Sequence, residues 1–338
     1  MADTFNQGMN TMKTSLPPYT TGRLICGLLG LLAALPVQAQ TWPTRTVTVV
    51  LPYAAGGPTD VPMRLIAQKM SDDLGQSVVV ENVAGANTMI AAEKVSKSAP
   101  DGYTLFAAST TTLSTNHQMY KTLRYKPQDF ALISNMLKLP YSLSITPGLP
   151  VSNLQEFIAY AKTRPGQVFS GTTGAGSTAD LLTEMLNSAT GIKTVGVAYK
   201  GSAPALVDVI GGRVQYLIMG INSAIGPHRA GQARAIAITS EQRLASMAEV
   251  PTFAELGYPG MTSSFWLGLV APAGTSKTVV DRVGASVNKA LRSRDISERL
   301  IADGLVVDPG TPEQFAAVIK YDAEIWGKAI KAVGIQFD

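Results

Sequence analysis

The sequence predicts an α/β protein in which short strands alternate with amphipathic helices. From residue 46 onward, short β-branched runs recur, and the segments between most of them repeat apolar residues at helical spacing. Apolar residues make up 46% and charged residues 15%, with 31 Gly and 20 Pro, which is typical of a globular chain. This alternation favours mostly parallel sheets that helices cover on both faces.

The first strand, residues 46–51, is rich in β-branched residues and ends at a glycine-rich turn. Met63, Ile66 and Met70 then recur at three- and four-residue steps, which predicts one buried face of a helix. Gly75 ends that helix. The pattern predicts further strands at residues 77–81, 104–108, 168–170, 195–199, 214–219, 235–239 and 266–270.

The domain organisation has to be inferred from turns, because the chain has no low-complexity linker. The turn-rich stretches 140–150 and 251–260 are the best candidates for crossings between domains. Crossings at both make residues 143–260 one lobe, and residues 40–142 plus 261–338 the other. A chain that crosses twice forms a hinge, with a cleft between the lobes. The C-terminal helix is expected to belong to the first of these lobes.

The N-terminus predicts a secretory signal peptide over residues 1–39. Lys13 and Arg23 precede an apolar run at 24–35, which small residues follow. As a helix, that run would be about 18 Å long, too short for the roughly 30 Å core of a membrane. Arg23 stands where a lipoprotein signal needs an aliphatic residue before Cys26, which argues against lipidation. We therefore expect a periplasmic protein.

The charge balance excludes some partners. The formal net charge is +4, from 28 basic and 24 acidic residues, and removal of the leader leaves about +3. The basic residues are scattered singly, so we expect no nucleic-acid binding. The mature chain contains no cysteine, so its fold relies on an apolar core rather than on disulfides.

Two glycine-rich turns, each between a strand and a helix, share one physical property. We call residues 52–59 the first loop and residues 171–177 the second loop. Each directs backbone N–H groups and the positive end of a helix dipole towards one point, where an anion could bind. Glycine also lets an anion approach the backbone closely. Alternatively, the glycines only form tight turns. Two such loops facing each other across a cleft would hold a carboxylate from both sides.

The sequence lacks the motifs that nucleotide binding and catalysis require. Ser177 stands where a phosphate-binding P-loop needs lysine, and neither loop has a Gly-x-Gly-x-x-Gly fingerprint. The two histidines, His117 and His228, belong to no catalytic motif. We expect His117 in a surface loop or N-cap position and His228 at the start of a surface turn. The sequence therefore predicts no enzyme, no cofactor and no metal site.

Several blocks of the sequence, spread over nearly all of the mature chain, match one known family. They resemble the Bug-type periplasmic receptors of tripartite tricarboxylate transporters at residues 51–60, 78–82, 99–105, 199–206 and 268–275. The resemblance implies a type II periplasmic-binding-protein fold of two lobes, each with a mixed central sheet, and a ligand cleft between them. It implies a monomer that binds a small organic carboxylate, with aromatic acids and dicarboxylates both open, and delivers it to integral-membrane transporter subunits. A periplasmic carboxylate-sensing subunit for a membrane signalling protein is the alternative.

The resemblance also implies a set of ligand-binding residues on the loops and on neighbouring turns. These are Tyr53, Ala55, Gly57, Thr59, Asp60, Ser109, Thr110, Ser170, Gly171, Thr172, Thr173, Gly174, Ser177, Tyr199, Lys200 and Ser202. Asp60 alternatively caps or charges the helix that follows it.

Three positions depart from the family pattern. Asp180 replaces a usual histidine, the segment from Met219 to Asn222 lacks the usual acid near Gly220, and residues 82–87 lack the usual basic residue and proline. The missing acid favours a plain or aromatic carboxylate over an amino acid. Lys200 is a candidate partner for a second carboxylate, and solvent exposure is the alternative for it.

Overall fold

The computed structural model describes residues 42–338, so the predicted signal peptide lies outside the described residues. Its strands are β1 (Val47–Leu51), β2 (Val78–Asn82), β3 (Thr104–Ser109), β4 (Phe130–Ile145), β5 (Val168–Thr172), β6 (Thr194–Ala198), β7 (Tyr216–Gly220), β8 (Arg234–Ile238), β9 (Ser264–Pro272) and β10 (Val306–Val307). Its helices are α1 (Asp60–Leu74), α2 (Met89–Ser96), α3 (Asn116–Met119), α4 (Leu154–Lys162), α5 (Thr178–Thr190), α6 (Ser202–Ile210), α7 (Ile221–Arg229), α8 (Lys277–Arg292), α9 (Arg294–Ala302) and α10 (Pro312–Val333). Within residues 42–338, no helix combines the length and the apolar character that crossing a membrane requires.

The strands form two mixed sheets that share one long strand. In the first, β1 pairs in parallel with β2 and β3, and β9 joins antiparallel between β3 and β4. In the second, β5 pairs in parallel with β6 and β7, while the end of β4 runs antiparallel to β7 and β8. The predicted parallel pairing is therefore confirmed within β1–β3 and β5–β7 and wrong for the strands around β4. We call each sheet with its covering helices the first and the second lobe.

Strand β4 carries the chain from the first lobe to the second. Pro140 is the last residue paired with β9, opposite Ser264, and Tyr141 is the first paired with β7, opposite Gly220. Sequence analysis missed this strand because proline lacks an N–H group and is typical of turns and strand edges. Here the proline marks the point at which the strand changes partners.

Each lobe has an apolar core, and α10 contributes to both. Near the start of α10, Phe315 packs edge-on against Trp266 of the first lobe, with ring centroids 5.2 Å apart. Further along, the buried side chains of Trp326 and Ile330 pack with residues of the second lobe such as Leu182. The expectation that the C-terminal helix belongs to the first lobe is therefore wrong for its second half, since a helix of this length reaches both cores.

A buried carboxylate lies between these two parts of α10. Asp322 accepts the indole N–H of Trp266 at 2.8 Å and that of Trp326 at 3.0 Å. Burial raises the pKa of Asp322 to about 6, although the two indoles and nearby hydroxyls oppose the change. The carboxylate of Asp322 therefore links Trp266 in the core of the first lobe to Trp326 in the core of the second.

Candidate functional site

The first loop is folded around the side chain of Asp60. The N–H of Gly56 donates to Asp60 Oδ2 at 2.9 Å, and the N–H of Gly57 donates to the carbonyl of Ala54 at 3.3 Å. Gly56 adopts a φ of +74°, a conformation that favours glycine. The sequence thus forms a tight turn here because a glycine can take the left-handed position and an aspartate four residues later can accept its N–H.

Asp60 itself is a positioning group at the base of this loop. Its Oδ2 also accepts from Arg64 Nε at 3.0 Å, and its Oδ1 accepts from Asn82 Nδ2 at 2.9 Å. Burial opposes ionisation, but the hydrogen bonds from Arg64, Gly56 and Asn82 outweigh it and lower the pKa of Asp60. Both oxygens of this carboxylate are therefore occupied by protein donors, which places Asp60 behind the loop.

The second loop repeats the same arrangement. The N–H of Gly176 donates to Asp180 Oδ2 at 2.9 Å, the same distance as in the first loop. The hydroxyl of Ser177 caps α5 by accepting the N–H of Asp180 at 3.2 Å. Gly174, at the tip, has a φ of +111° and open space where a Cβ would lie. The shared feature is a Gly-x-x-x-Asp spacing that can be found in the sequence.

The two aspartates differ in their surroundings. No cation is among the groups that affect Asp180, and burial raises its pKa while the Gly176 N–H opposes the change. Asp60, in contrast, is paired with Arg64. Asp60 therefore has a cationic partner, whereas the donor to Asp180 is the backbone N–H of Gly176.

Each loop is contacted by an asparagine side chain from the opposite lobe. Asn222 Nδ2, at the start of α7, donates to the carbonyl of Pro58 in the first loop at 2.9 Å. Asn87 Nδ2, before α2, makes a longer contact of 3.4 Å with the carbonyl of Gly176 in the second loop. The hydroxyl of Thr59, a residue only 5% exposed, has no hydrogen-bond partner among residues 42–338. Each loop therefore contacts the opposite lobe, and a buried polar group lies unpaired in the first loop.

Behind the first loop, Tyr53 belongs to a packed group of hydroxyl and aromatic side chains. The Tyr53 hydroxyl lies 2.8 Å from Ser109 Oγ, which is itself 3.3 Å from Thr112 Oγ1. The ring of Tyr53 meets Phe265 edge-on, with centroids 5.7 Å apart. Tyr141 packs against the cores of both lobes. Ser109 and Thr112 are fully buried and Phe265 is 5% exposed, so these contacts hold Tyr53 of the first loop against the core.

A family model described as tripartite tricarboxylate transporter family receptor matches residues 63–335. The chain belongs to this receptor family. It is 36% identical to Protein BugT of Bordetella pertussis over 303 residues, which cover 89% of this chain and 93% of BugT. The structure of R. palustris Rpa4515 with adipate has a TM-score of 0.83 at 36% identity and covers 87% of this chain and 99% of its own. Periplasmic binding protein BugD gives a TM-score of 0.80 at 32% identity, with coverages of 87% and 99%.

These likenesses confirm the fold class and the family that the sequence predicted. The receptor is a Bug-type solute-binding protein with the two-lobed fold of periplasmic binding proteins. Members of this family are receptors that bind solutes, not enzymes.

The structure brings part of the predicted site together in the receptor. Tyr53 and Ser109 are in direct contact, and the first and second loops, which carry Ala55, Gly57, Thr59, Thr173, Gly174 and Ser177, each contact the opposite lobe. The N–H of Tyr199 donates to the carbonyl of Thr172 at 2.9 Å, so the turn that ends at Ser202 lies beside the second loop.

Other predicted residues have their side chains committed elsewhere. The hydroxyl of Tyr199 donates to Asp208 of α6 at 2.7 Å, and Lys200 is exposed. The hydroxyl of Thr110 accepts the N–H of Trp266 at 3.0 Å. Ser170 and Gly171 lie inside β5. Ser170 is fully buried, and a Cβ added at Gly171 would lie 3.1 Å from Ala205 and 3.2 Å from Leu217. Gly171 therefore serves helix packing, and the exposure of Lys200 fits the alternative stated for it.

Sequence analysis did not name Asn82, Asn87, Tyr141 or Asn222 as site residues, although all but Tyr141 lie in the segments that depart from the family pattern. Asn82 holds the base of the first loop, and Asn222 contacts a residue 164 positions earlier in the chain. Asn87 belongs to a run of three non-glycine residues with positive φ, which the polar side chains around it stabilise. The glycine at position 85 and the Asn-Thr pair after it were the available signal for this unusual turn.

Neither histidine belongs to this site. His228 lies in the last turn of α7, where its Nδ1 accepts the N–H of Ala235 at 3.1 Å and its Nε2 lies 2.9 Å from Glu249. It thus ends a helix, whereas the sequence predicted the start of a turn. His117 is exposed on the short helix α3, and burial of its surroundings lowers its pKa. Within residues 42–338, no group of His, Cys, Asp and Glu could hold a metal ion.

Proposed function

We propose that this receptor captures a small organic carboxylate between its two glycine loops and presents it to integral-membrane subunits of a tripartite tricarboxylate-type transporter. The observation that carries the proposal is the matched pair of loops, each folded around an aspartate and each contacted by an asparagine of the opposite lobe. The receptor acts in the periplasm as a monomer, and neither cofactor nor nucleic acid takes part.

Backbone N–H groups supply the donors for the carboxylate. In the first loop, the N–H groups of Ala55 and Thr59 donate to no other described residue. In the second loop, the same is true of Thr173, Gly174 and Ala175. The N-termini of α1 and α5 lie directly behind these groups, and their dipoles favour a negative charge. The unpaired hydroxyl of Thr59 adds a further donor at the same place.

The class of ligand follows from the family and from the side chains in the cleft. A relative in R. palustris was solved with adipate, a linear dicarboxylate. This chain has Asn222 beside Gly220 and no acid there, so nothing at that position would hold an ammonium group. A plain or aromatic carboxylate therefore suits the cleft better than an amino acid.

Movement of the lobes completes the proposed cycle. Residues 143–260 form the second lobe, and the flanking segments, apart from the end of α10, form the first. Closure brings the loops together on the ligand, and the membrane subunits recognise the closed form. Cleavage of the leader before Gln40 releases the receptor into the periplasm.

Substitution of Gly174 tests the proposal with a matched control. Gly174→Val places a side chain where the carboxylate would approach the second loop. Gly257→Val is the control, because Gly257 also has a positive φ (+89° against +111°) and also has open space at its Cβ, but lies outside both loops. Both variants carry similar backbone strain, so only a difference in binding reports on the anion site.

Thermal-shift and calorimetric titrations of residues 40–338 with small acids and their amides give the readout. An acid at 100 times its Kd should stabilise the control by about 2.7 kcal/mol, which raises its Tm by a few degrees. The amide should leave it unchanged, and Gly174→Val should lose the response to the acid. Equal binding of the acid by both variants would show that the second loop is not the carboxylate site.

A further inference from the structure

A left-handed turn of the first lobe lies against the second glycine loop. Ala86, Asn87 and Thr88, which precede α2, have φ values of +44°, +50° and +74°. Residues other than glycine rarely adopt such conformations, and a β-branched residue such as Thr88 is strongly disfavoured there. Three in succession persist only where the surrounding structure holds them, and such strain is concentrated at functional sites. The contacts of this turn therefore have to compensate for its backbone conformation.

Buried polar side chains of the first lobe hold the turn. Asn116 Nδ2 donates to the carbonyl of Asn87 at 2.8 Å, and Thr112 Oγ1 donates to Thr88 Oγ1 at 2.9 Å. The hydroxyl of Tyr125 donates to the carbonyl of Thr112 at 2.8 Å and accepts from Asn116 Nδ2 at 3.1 Å. Asn116 and Thr112 are fully buried, and Tyr125 is almost fully buried. The turn is thus fixed by hydrogen bonds in the interior, where they are stronger than in water.

The same group of side chains reaches the first glycine loop. Ser109 Oγ lies 2.8 Å from the hydroxyl of Tyr53 and 3.3 Å from Thr112 Oγ1. Thr112 is the residue that donates to Thr88 in the left-handed turn. A continuous series of hydrogen bonds therefore runs from Tyr53 of the first loop, through the interior of the first lobe, to this turn.

Asn87 connects the turn to Gly176 of the second loop. Its Nδ2 lies 3.4 Å from the carbonyl of Gly176, while the N–H of Gly176 donates to Asp180 Oδ2 at 2.9 Å. Packing brings the same glycine close to other parts of the chain, since an added Cβ would lie 2.8 Å from Phe337 and 3.2 Å from Met119 at the end of α3. The peptide groups on both sides of Gly176 are therefore held, one from within the second lobe and one from the first lobe.

We propose that Asn87 is a positioning residue of the ligand site, which fixes the second loop from the opposite lobe, and that Asn116 acts through it. This inference rests on the proposed capture of a carboxylate by the loops. Asn116 holds the backbone of Asn87 and also orients its side chain, since Asn116 Oδ1 lies 3.4 Å from Asn87 Nδ2. Fixing the Gly176 peptide groups keeps the N–H groups of residues 173–175 in one direction, ready for an anion. The contact is the counterpart of the bond from Asn222 to Pro58, with the lobes exchanged.

Amide hydrogen exchange of the ligand-free receptor tests the contact. Asn87→Gly deletes the side-chain donor and places there a residue that adopts positive φ freely. Ala86→Gly is the matched control, because Ala86 also has a positive φ and its side chain is exposed. In Asn87→Gly, the N–H groups of Gly176 and Ser177 should exchange about 2 to 12 times faster, the factor expected for one neutral hydrogen bond. Wild-type exchange in Asn87→Gly, or equal acceleration in both variants, would overturn the inference.

Calorimetric titration with adipate, succinate and benzoate connects the contact to ligand binding. For each acid that binds, Asn87→Gly should raise the Kd by about the same factor of 2 to 12, and Ala86→Gly should not. An unchanged Kd in Asn87→Gly would overturn the positioning role and leave carboxylate capture intact. Absence of binding by the wild type would instead count against the proposed function, and the exchange rates alone would then decide the inference.

A double-mutant cycle tests whether Asn116 acts through Asn87. Asn116→Ala should also raise the Kd, and the double variant should bind no more weakly than Asn87→Gly alone, because both changes remove the same contact. Additive losses would contradict the role assigned to Asn116. Should the buried Asn116→Ala not fold, Thr112→Val takes its place in the cycle, since it keeps the shape of the side chain and deletes only the hydroxyl that donates to Thr88.

Discussion

Removal of the Asn222 side chain should weaken ligand binding by opening the cleft. Asn222 Nδ2 donates to the carbonyl of Pro58 at 2.9 Å, and this bond joins α7 of the second lobe to the first loop. Asn222→Ala deletes the bond and leaves the loops themselves unchanged. Since a ligand that touches both loops binds the closed form, any loss of closure reduces its affinity.

The magnitude follows from the type of bond. A neutral hydrogen bond contributes about 0.5–1.5 kcal/mol net, which is a factor of roughly 2 to 12 in an equilibrium constant. We expect the Kd to rise by that factor and the dissociation rate to account for most of the change. Asn222→Asp should cost more, because a carboxylate would face the carbonyl oxygen of Pro58 and would also repel an anionic ligand.

Stopped-flow measurement of dissociation rates tests this prediction. Ser223→Ala, one residue further along the same helix, is the control, since it removes a small polar group of α7 that has no contact with the first loop among the described hydrogen bonds. The reasoning would be refuted if Asn222→Ala released the ligand at the wild-type rate, or if Ser223→Ala accelerated release equally.

Two further predictions concern the carboxylates. Asp60→Asn should weaken ligand binding by about ten-fold or more, because it removes the charged acceptor of Gly56 and Arg64, and charged hydrogen bonds contribute about 1.5–3 kcal/mol. Calorimetry checks this, and unchanged affinity would contradict a positioning role. Asp322 binds its proton more tightly in the folded than in the unfolded chain, so its contribution to stability rises as pH falls from about 7 towards 4. The free energy of unfolding of wild type minus that of Asp322→Asn should therefore be about 1 kcal/mol larger at pH 5 than at pH 7.5 in urea titrations, and an equal difference at both values would contradict it.

The sequence was most informative where structure depends on nearby residues. The glycine turns, the helices after them and the parallel strands on either side follow from local spacing, and the structure confirms them. The pairing of Gly56 with Asp60 and of Gly176 with Asp180 spans only four residues and was open to the same reasoning.

Contacts between distant parts of the chain could not be predicted in this way. Asn222 meets Pro58 only because β4 carries the chain from the first lobe into the second, where α7 lies. Likewise, the local sequence around Pro140 predicts a turn. Its place inside β4 depends on the point at which this strand stops pairing with β9 and starts pairing with β7. Lys200 belongs to a well-matched block of sequence, yet the structure leaves its side chain exposed.

The path of α10 through both cores has a mechanical consequence. If only the two chain segments that cross between the lobes connected them, the lobes could twist and slide against each other as well as bend. A helix anchored in one body by Phe315 and in the other by Trp326 acts as a stiff brace beside those crossings. We therefore expect the helix to resist twisting of one lobe against the other, which would keep the two glycine loops aligned when the lobes move.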